Sequence, residues 1–194
     1  LHSFPTRRSS DLRRSLPRPG SATWRYLAGE RCIPDSVIAA AVAQRCLREG
    51  PQGSMWAAHH DLAGHVIGWE ERGPHWRGFA TNGSKQLFRL GPIGALRICV
   101  TEAAIDALSL AAIEVLRSDT LYVSTGGGWS PATDQAIRSL ARRADARLVA
   151  ATDNNRQGDV HADRIHAIAA EASALYARSQ PRAGDWNEDL KNLV

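Results

Sequence analysis

Lysine is almost missing from this chain: of 24 basic residues only Lys85 and Lys191 are lysine, and the rest are arginine. Arginine with abundant alanine is the mark of a GC-rich genome as much as of phosphate binding. Cysteine is also scarce. Cys32, Cys46 and Cys99 show no CxxC spacing, which excludes a zinc knuckle here and points to a reducing, cytoplasmic setting. No run of about eighteen apolar residues exists, so no transmembrane helix is expected. No apolar segment follows a basic start, so no secretory signal is expected. A net charge of +4 is compatible with nucleic acid without requiring it.

What is present divides along the chain. His2 to Leu12 reads as the translation of a sequencing-library adapter, so residues 1–12 are set aside. Without an initiator Met, the natural chain is expected to extend upstream. Residues 13–23, rich in Arg, Pro, Ser and Gly, read as a linker.

Residues 24–92 read as a small α+β unit. Ile33-Pro34-Asp35 announces a helix whose apolar stripe runs through Val37, Ile38, Ala41, Val42 and Cys46. Strands are expected at Met55–His60, Val66–Glu71, Trp76–Thr81 and Lys85–Arg89, forming an antiparallel meander. Asp61-Leu62-Ala63-Gly64, Gly73-Pro74 and Asn82-Gly83 supply the turns. His59, His60, His65 and His75 cluster in the meander, and His59-His60 and His65 could meet across the hairpin, but no further ligand stands at a convincing zinc spacing, so they read as surface or core histidines. Trp56, Trp69, Trp76, Phe79 and Phe88 read as the apolar face of the sheet, with base stacking as the rival.

After Gly91-Pro92-Ile93-Gly94 the rhythm becomes strand, helix, strand. Strands at Arg97–Thr101, Thr120–Ser124, Arg147–Thr152 and Leu175–Arg178 alternate with helices at Glu102–Leu116, Pro131–Ala144 and Gly158–Ala172. That alternation predicts an α/β, doubly wound, mostly parallel sheet over residues 93–194. Ligands sit at the carboxyl ends of such strands.

The acids fall there. Glu102 and Asp106, four apart, are expected on one helix face. Asp153 ends a later strand on the same sheet edge, and Asn155 and Asp159 follow it. Asp185 lies in a third acidic patch, Asp185-Trp186-Asn187-Glu188-Asp189. Like charges repel, and a bound magnesium ion would reverse that sign. Gly126, Gly127 and Gly128 either bring backbone N–H groups to a phosphate or form a plain flexible loop. They match neither the P-loop nor the dinucleotide fingerprint. Lys85 and Arg156 are expected as further phosphate contacts.

Taken together these residues resemble the Toprim family, the catalytic domain of bacterial primases, type IA and type II topoisomerases and some nucleases. The glutamate element is Thr101-Glu102-Ala103-Ala104-Ile105-Asp106-Ala107-Leu108. The aspartate element is Asp153-Asn154-Asn155-Arg156-Gln157-Gly158. Gly184-Asp185-Trp186-Asn187-Glu188-Asp189-Leu190 is similar to the ending of the primase-like branch found in plasmids and phages. The Gly-Trp-Glu-Glu-Arg-Gly-Pro run at 68–74 resembles the uncharacterised domain that precedes Toprim in mobile-element proteins.

The resemblance implies that Glu102 is the general acid/base at a phosphodiester. It implies that Asp106, Asp153, Asn155, Asp159 and Asp185 surround one or two magnesium ions, manganese being the alternative. The implied partners are DNA or RNA, nucleotides, and an upstream zinc-binding or helicase domain; no membrane is implied. The implied activity is that of a primase-like nucleotidyltransferase in replication or mobilisation of a mobile element. Asn155 departs from the Asp-x-Asp pattern and brings no charge. It favours the alternative of a non-catalytic nucleic-acid-binding module, and a Toprim nuclease or topoisomerase-type cleaving enzyme is a third reading.

Overall fold

The computed structural model describes residues 14–194. The adapter-like stretch 1–12 lies outside the described residues. Helix α1 (Ala22–Arg25) starts within the stretch read as a linker, with the Ser21 hydroxyl accepting from Trp24 N–H, and it runs into a π-turn, Tyr26–Glu30. Helix α2 (Asp35–Ala43) starts after Pro34, as the sequence indicates, but ends before Cys46.

Five strands follow: β1 (Leu47–Glu49), β2 (Met55–His60), β3 (Val66–Arg72), β4 (Arg77–Phe79) and β5 (Leu87–Leu90). They are antiparallel, yet they are not the simple meander expected. β5 does not pair with β4. It returns to β2, setting His59 opposite Phe88, and its other edge meets the later strand at Thr120–Ser124. A turn-by-turn reading of sequence links neighbours, and here Asn82 and Gly83 close a loop that leads past β3 rather than a hairpin.

The second part alternates β6 (Arg97–Thr101), α3 (Ala104–Ile113), β7 (Thr120–Ser124), α4 (Pro131–Ala141), β8 (Arg147–Ala150), α5 (Arg156–Ala172) and β9 (Leu175–Arg178). A last helix, α6 (Trp186–Lys191), occupies the patch read as an acidic turn. Among the described residues one nine-stranded sheet results, in the order β4-β3-β2-β5-β7-β6-β8-β9, with β1 beside β2. β7, β6, β8 and β9 are mutually parallel. The fold is the mixed α/β architecture that the alternation implies.

Side chains alternate across this sheet as the pleat requires. Cys99, Tyr122 and Val149 face α2, α3 and α6. Ile98, Val100, Leu121, Val123, Leu148 and Ala150 face α4 and α5. Helix α3 is buried nearly all round because it lies between the sheet and two other helices. Fully buried Leu108 and Ile98 each contribute about 1.5–3 kcal/mol by the usual transfer scale. No helix of the described residues is long and apolar enough to cross a membrane.

The winding creates a crevice. From β6 the chain crosses to β7 on one side, then returns over β6 to β8 and β9 on the other. The carboxyl end of β6 is therefore the point where the winding reverses, which is where open α/β sheets bind ligands.

Candidate functional site

Glu102 stands at that reversal point. It is not part of the helix that follows: Ala103 is extended (φ −122°, ψ 157°) and α3 begins at Ala104. The expected same-face pairing of Glu102 with Asp106 is thereby corrected. The extended residue sends the two carboxylates in different directions. Asp106 turns back and accepts from Ala103 N–H at 3.2 Å, buried at 5% exposure. Glu102 reaches across to the next strand end, where Asp153 N–H donates to its Oε1 at 3.3 Å. Its Oε2 lies 3.5 Å from His161 Nδ1.

The loops after β6, β7 and β8 are laced together at this edge. Gly127 N–H donates to the Glu102 carbonyl at 2.8 Å, and Thr125 N–H to that of Thr101 at 3.2 Å. Gly126 and Gly127 take φ values of +71° and +75°, the left-handed region that favours glycine. A Cβ on Gly126 would meet the His59 ring at 2.7 Å. Gly128 is free of such contacts.

The acids perturb one another. Burial, then Asp153, Asp185 and Glu70, pushes the Asp106 carboxyl well above the usual range. Burial, then Glu102 and Asp185, pushes Asp153 up to about 7. Asp153 Oδ1 is buried with no hydrogen-bond partner. Clustered carboxylates with an orphaned oxygen suit a divalent cation, which commonly takes one or two carboxylates and completes its shell with water. Among the described residues no three His, Cys, Asp or Glu side chains form a ready-made metal cage.

The remaining expected ligands are occupied elsewhere. Asn155 caps α5, its Oδ1 accepting from Gly158 N–H at 2.9 Å. Asp159 is exposed and lies 3.6 Å from Arg178 Nη2. Asp185 caps α6, accepting from Glu188 N–H at 2.8 Å, but stays close enough to raise both Asp106 and Asp153. Trp186 donates from its indole to the Ala151 carbonyl at 2.8 Å, pinning α6 to the end of β8. Asn187 donates to the Arg31 carbonyl and to Ser109 Oγ, tying α6 to the π-turn and to α3.

Strand β3 contributes a residue that sequence reasoning missed. Glu70 is fully buried and its Oε2 accepts from Ala104 N–H at 3.1 Å, at the start of α3. Burial works against its charge, but His59 at 3.6 Å and Arg72 at 2.9 Å prevail and hold it below the ordinary range. Beside it opens a cleft of about 260 Å³ lined by Arg72, Arg77, Phe79, Lys85, Gly126 and Gly127 together with Glu70 and Gly78. Lys85, expected as a phosphate contact, lies here with its Nζ 5.4 Å from the Phe79 ring. Arg156, also expected there, is exposed at the first turn of α5. Trp56 and Trp69 are buried against each other as core, whereas Trp76 is 63% exposed.

The Asp153 shift has a thermodynamic consequence. The folded state binds this proton more tightly than the unfolded chain, so stability is lost as pH rises from about 4 to about 7. With its partial exposure allowed for, the loss is about 2 kcal/mol. Melting should fall between about pH 4 and about pH 7, more in wild type than in Asp153→Asn. Thermal melts of the two proteins check this. Equal pH slopes would contradict it.

The stretch that carries this acid-lined reversal point and its glycine loop is also the stretch that sequence comparison matches. Residues 99–190 match the family model described as Toprim-like, and this part of the chain is a Toprim-like domain. Residues 25–95 match the family described as protein of unknown function (DUF3991). No curated protein sequence matches the chain. Among solved structures, the chain is similar to the primase fragment of the bacteriophage T7 primase-helicase protein. The TM-score is 0.57 at 18% identity, covering 98% of this chain and 82% of that one. It is also similar to the DnaG catalytic core, with TM-score 0.55, 17% identity, and coverage of 92% and 71%. The Aquifex aeolicus primase (zinc binding and RNA polymerase domains) gives 0.55 at 15%, covering 84% of this chain and 52% of that one. At these identities the likeness is one of fold, and it extends over both parts of the chain.

Proposed function

We propose that this protein performs magnesium-dependent phosphodiester chemistry on nucleic acid, as a primase-like nucleotidyltransferase in replication or mobilisation of a mobile element, in the cytoplasm. The observation that carries the reading is the carboxylate group at one sheet edge: Glu102, Asp106, Asp153 and Asp185, with Asp106 and Asp153 raised by burial first and by their acidic neighbours second. Asp153, with its orphaned oxygen, would hold the cation together with Asp106 and Asp185. A bound magnesium ion supplies charge neutralisation at phosphate oxygens. Glu102, whose side chain is 12% exposed, would take or give the proton at the reacting oxygen. Lys85, Arg72 and Arg77, with the Gly126–Gly127 backbone, would receive the phosphates of DNA, RNA or nucleotides in the adjoining cleft. The primase-helicase and zinc-binding primase relatives support an upstream zinc-binding or helicase partner.

A second reading, non-catalytic nucleic-acid binding, is favoured by one observation: Asn155 spends its side-chain oxygen on a helix cap and brings no charge. A Toprim nuclease is distinguished from both by product. Calorimetric titration with magnesium and manganese, followed by assays for primer synthesis and for cleavage of labelled DNA, separates the three. The proposal expects saturable binding at millimolar metal and extension from nucleoside triphosphates. Nucleic-acid binding without metal uptake or turnover would establish the second reading.

A further inference from the structure

Beside Glu102 sits a histidine that nothing in the Toprim-like pattern quoted above requires. His161 lies on α5 and is 4% exposed. Its Nε2 is 3.0 Å from Gln157 Nε2, one helical turn back. An amide nitrogen only donates, so this ring nitrogen accepts and the neutral ring carries its proton on Nδ1. That Nδ1 is buried and makes no hydrogen bond, and Glu102 Oε2 stands 3.5 Å from it. Trp129 covers the ring, its centroid 5.5 Å away at a 33° tilt. Gln157 and Trp129 together fix the imidazole plane.

We infer that His161 is a positioning residue, which holds Glu102 in its working rotamer through Nδ1–H while Asp153 N–H holds the other carboxylate oxygen. The inference rests on the reading of Glu102 as the acting carboxylate. The geometry supplies the reason such a device is needed. Glu102 is in neither strand nor helix, so no backbone ladder orients its side chain; its Oε1 accepts from Asp153 N–H, while its Oε2 has His161 within ion-pair distance. Under Trp129 the ring is too covered to meet substrate, which makes its role indirect. An unpaired N–H buried at this depth is unfavourable unless the carboxylate answers it. The two side chains therefore specify each other.

Three substitutions separate positioning from space filling. Asn places a donor where His Nδ1 stands; Gln places one where Nε2 stands; Leu fills the space with no donor. Outer partners of this kind commonly carry about 10–100-fold in activity. His161→Leu and His161→Gln should lose about that much in kcat, with KM for metal and nucleotide changed by less than about threefold. His161→Asn should recover to within about threefold of wild type. Plain packing would predict the reverse order, since Gln fills the site better than Asn. Independently of activity, long-range 1H–15N spectra of the imidazole should show the Nδ1–H tautomer, and Glu102→Gln should move the Nδ1 resonance. An Nε2–H tautomer, or a His161→Leu protein with full kcat beside an inactive Glu102→Gln, overturns the inference alone. A fully active Glu102→Gln overturns the reading on which it rests.

Discussion

Glu102→Gln should abolish metal-dependent turnover, by about 10²–10⁴-fold, the span that general acid–base groups contribute. The fold should survive. Glutamine keeps an oxygen to accept from Asp153 N–H, and it removes one of the charges that raise Asp153. The melting temperature without metal is therefore expected to hold or rise, and magnesium binding through Asp153 to persist. Single-turnover assays at saturating metal, with circular dichroism melts on the same preparation, check both halves. Asp159→Asn is the contrast, because Asp159 faces Arg178 and not the cluster. It should stay within about threefold of wild type, as surface changes away from such features usually do. A Glu102→Gln enzyme with full turnover would falsify the assignment.

The second large effect is one of stability. Gly158 sits in the first turn of α5 with its backbone against the end of β8. A Cβ there would meet the Asp153 carbonyl oxygen at 2.0 Å and its carbonyl carbon at 2.8 Å. Both are backbone atoms, so no rotamer relieves the clash. The helix or the strand end must move, and with it the Asn155 cap and the hydrogen bond from Thr152 Oγ1 to the Gly158 carbonyl. Gly158→Ala should cost about 3 kcal/mol, the upper end of ordinary overpacking. Urea unfolding measures it. Gly128→Ala, where a Cβ meets nothing within 4 Å, should stay within about 1 kcal/mol of wild type. Equal stabilities for the two variants would contradict this close approach. The same contact gives the glycine of the aspartate element a reason: it lets Asp153 lie directly against the helix start.

Strands were legible in the sequence where turn residues bracket β-branched and aromatic runs. β2, β6, β7 and β9 fall on the expected residues. β1 was not legible, because Leu47-Arg48-Glu49 is short and mostly charged, and pairing with β2 is what makes it a strand. The position of β5 depends on pairing with strands about thirty residues away on either side, so no local window could show it. Helix α6 hid inside a run of acids. Its signals were present in Asp185 as a cap and Glu188 three residues on, whose carboxylate accepts from Gly184 N–H at 2.9 Å.

The site divides the same way. The acids were found by their place at strand ends, a local pattern. Glu70 carries no local mark: it sits between Trp69 and Glu71 on a strand, and its burial follows from β3 passing over the start of α3. His161 did carry one. It shares a 3-4-3 stripe with Gly158, Ile165 and Ile168, all buried, so an imidazole is placed on the apolar face of its helix.

The sheet does not stop at the boundary between the two sequence families. β5 lies within the first match and hydrogen-bonds to β7 of the second, while Glu70 of the first caps a helix of the second. Cutting between them would bare the backbone edge of β7 and leave Ala104 N–H unanswered in a dry interior. Bare edges recruit other strands. In this chain the two parts are joined along a strand as well as by a linker, so separating them would uncover an edge that the intact chain pairs. Whatever the companion does, its first service is to complete the sheet on which the acids stand.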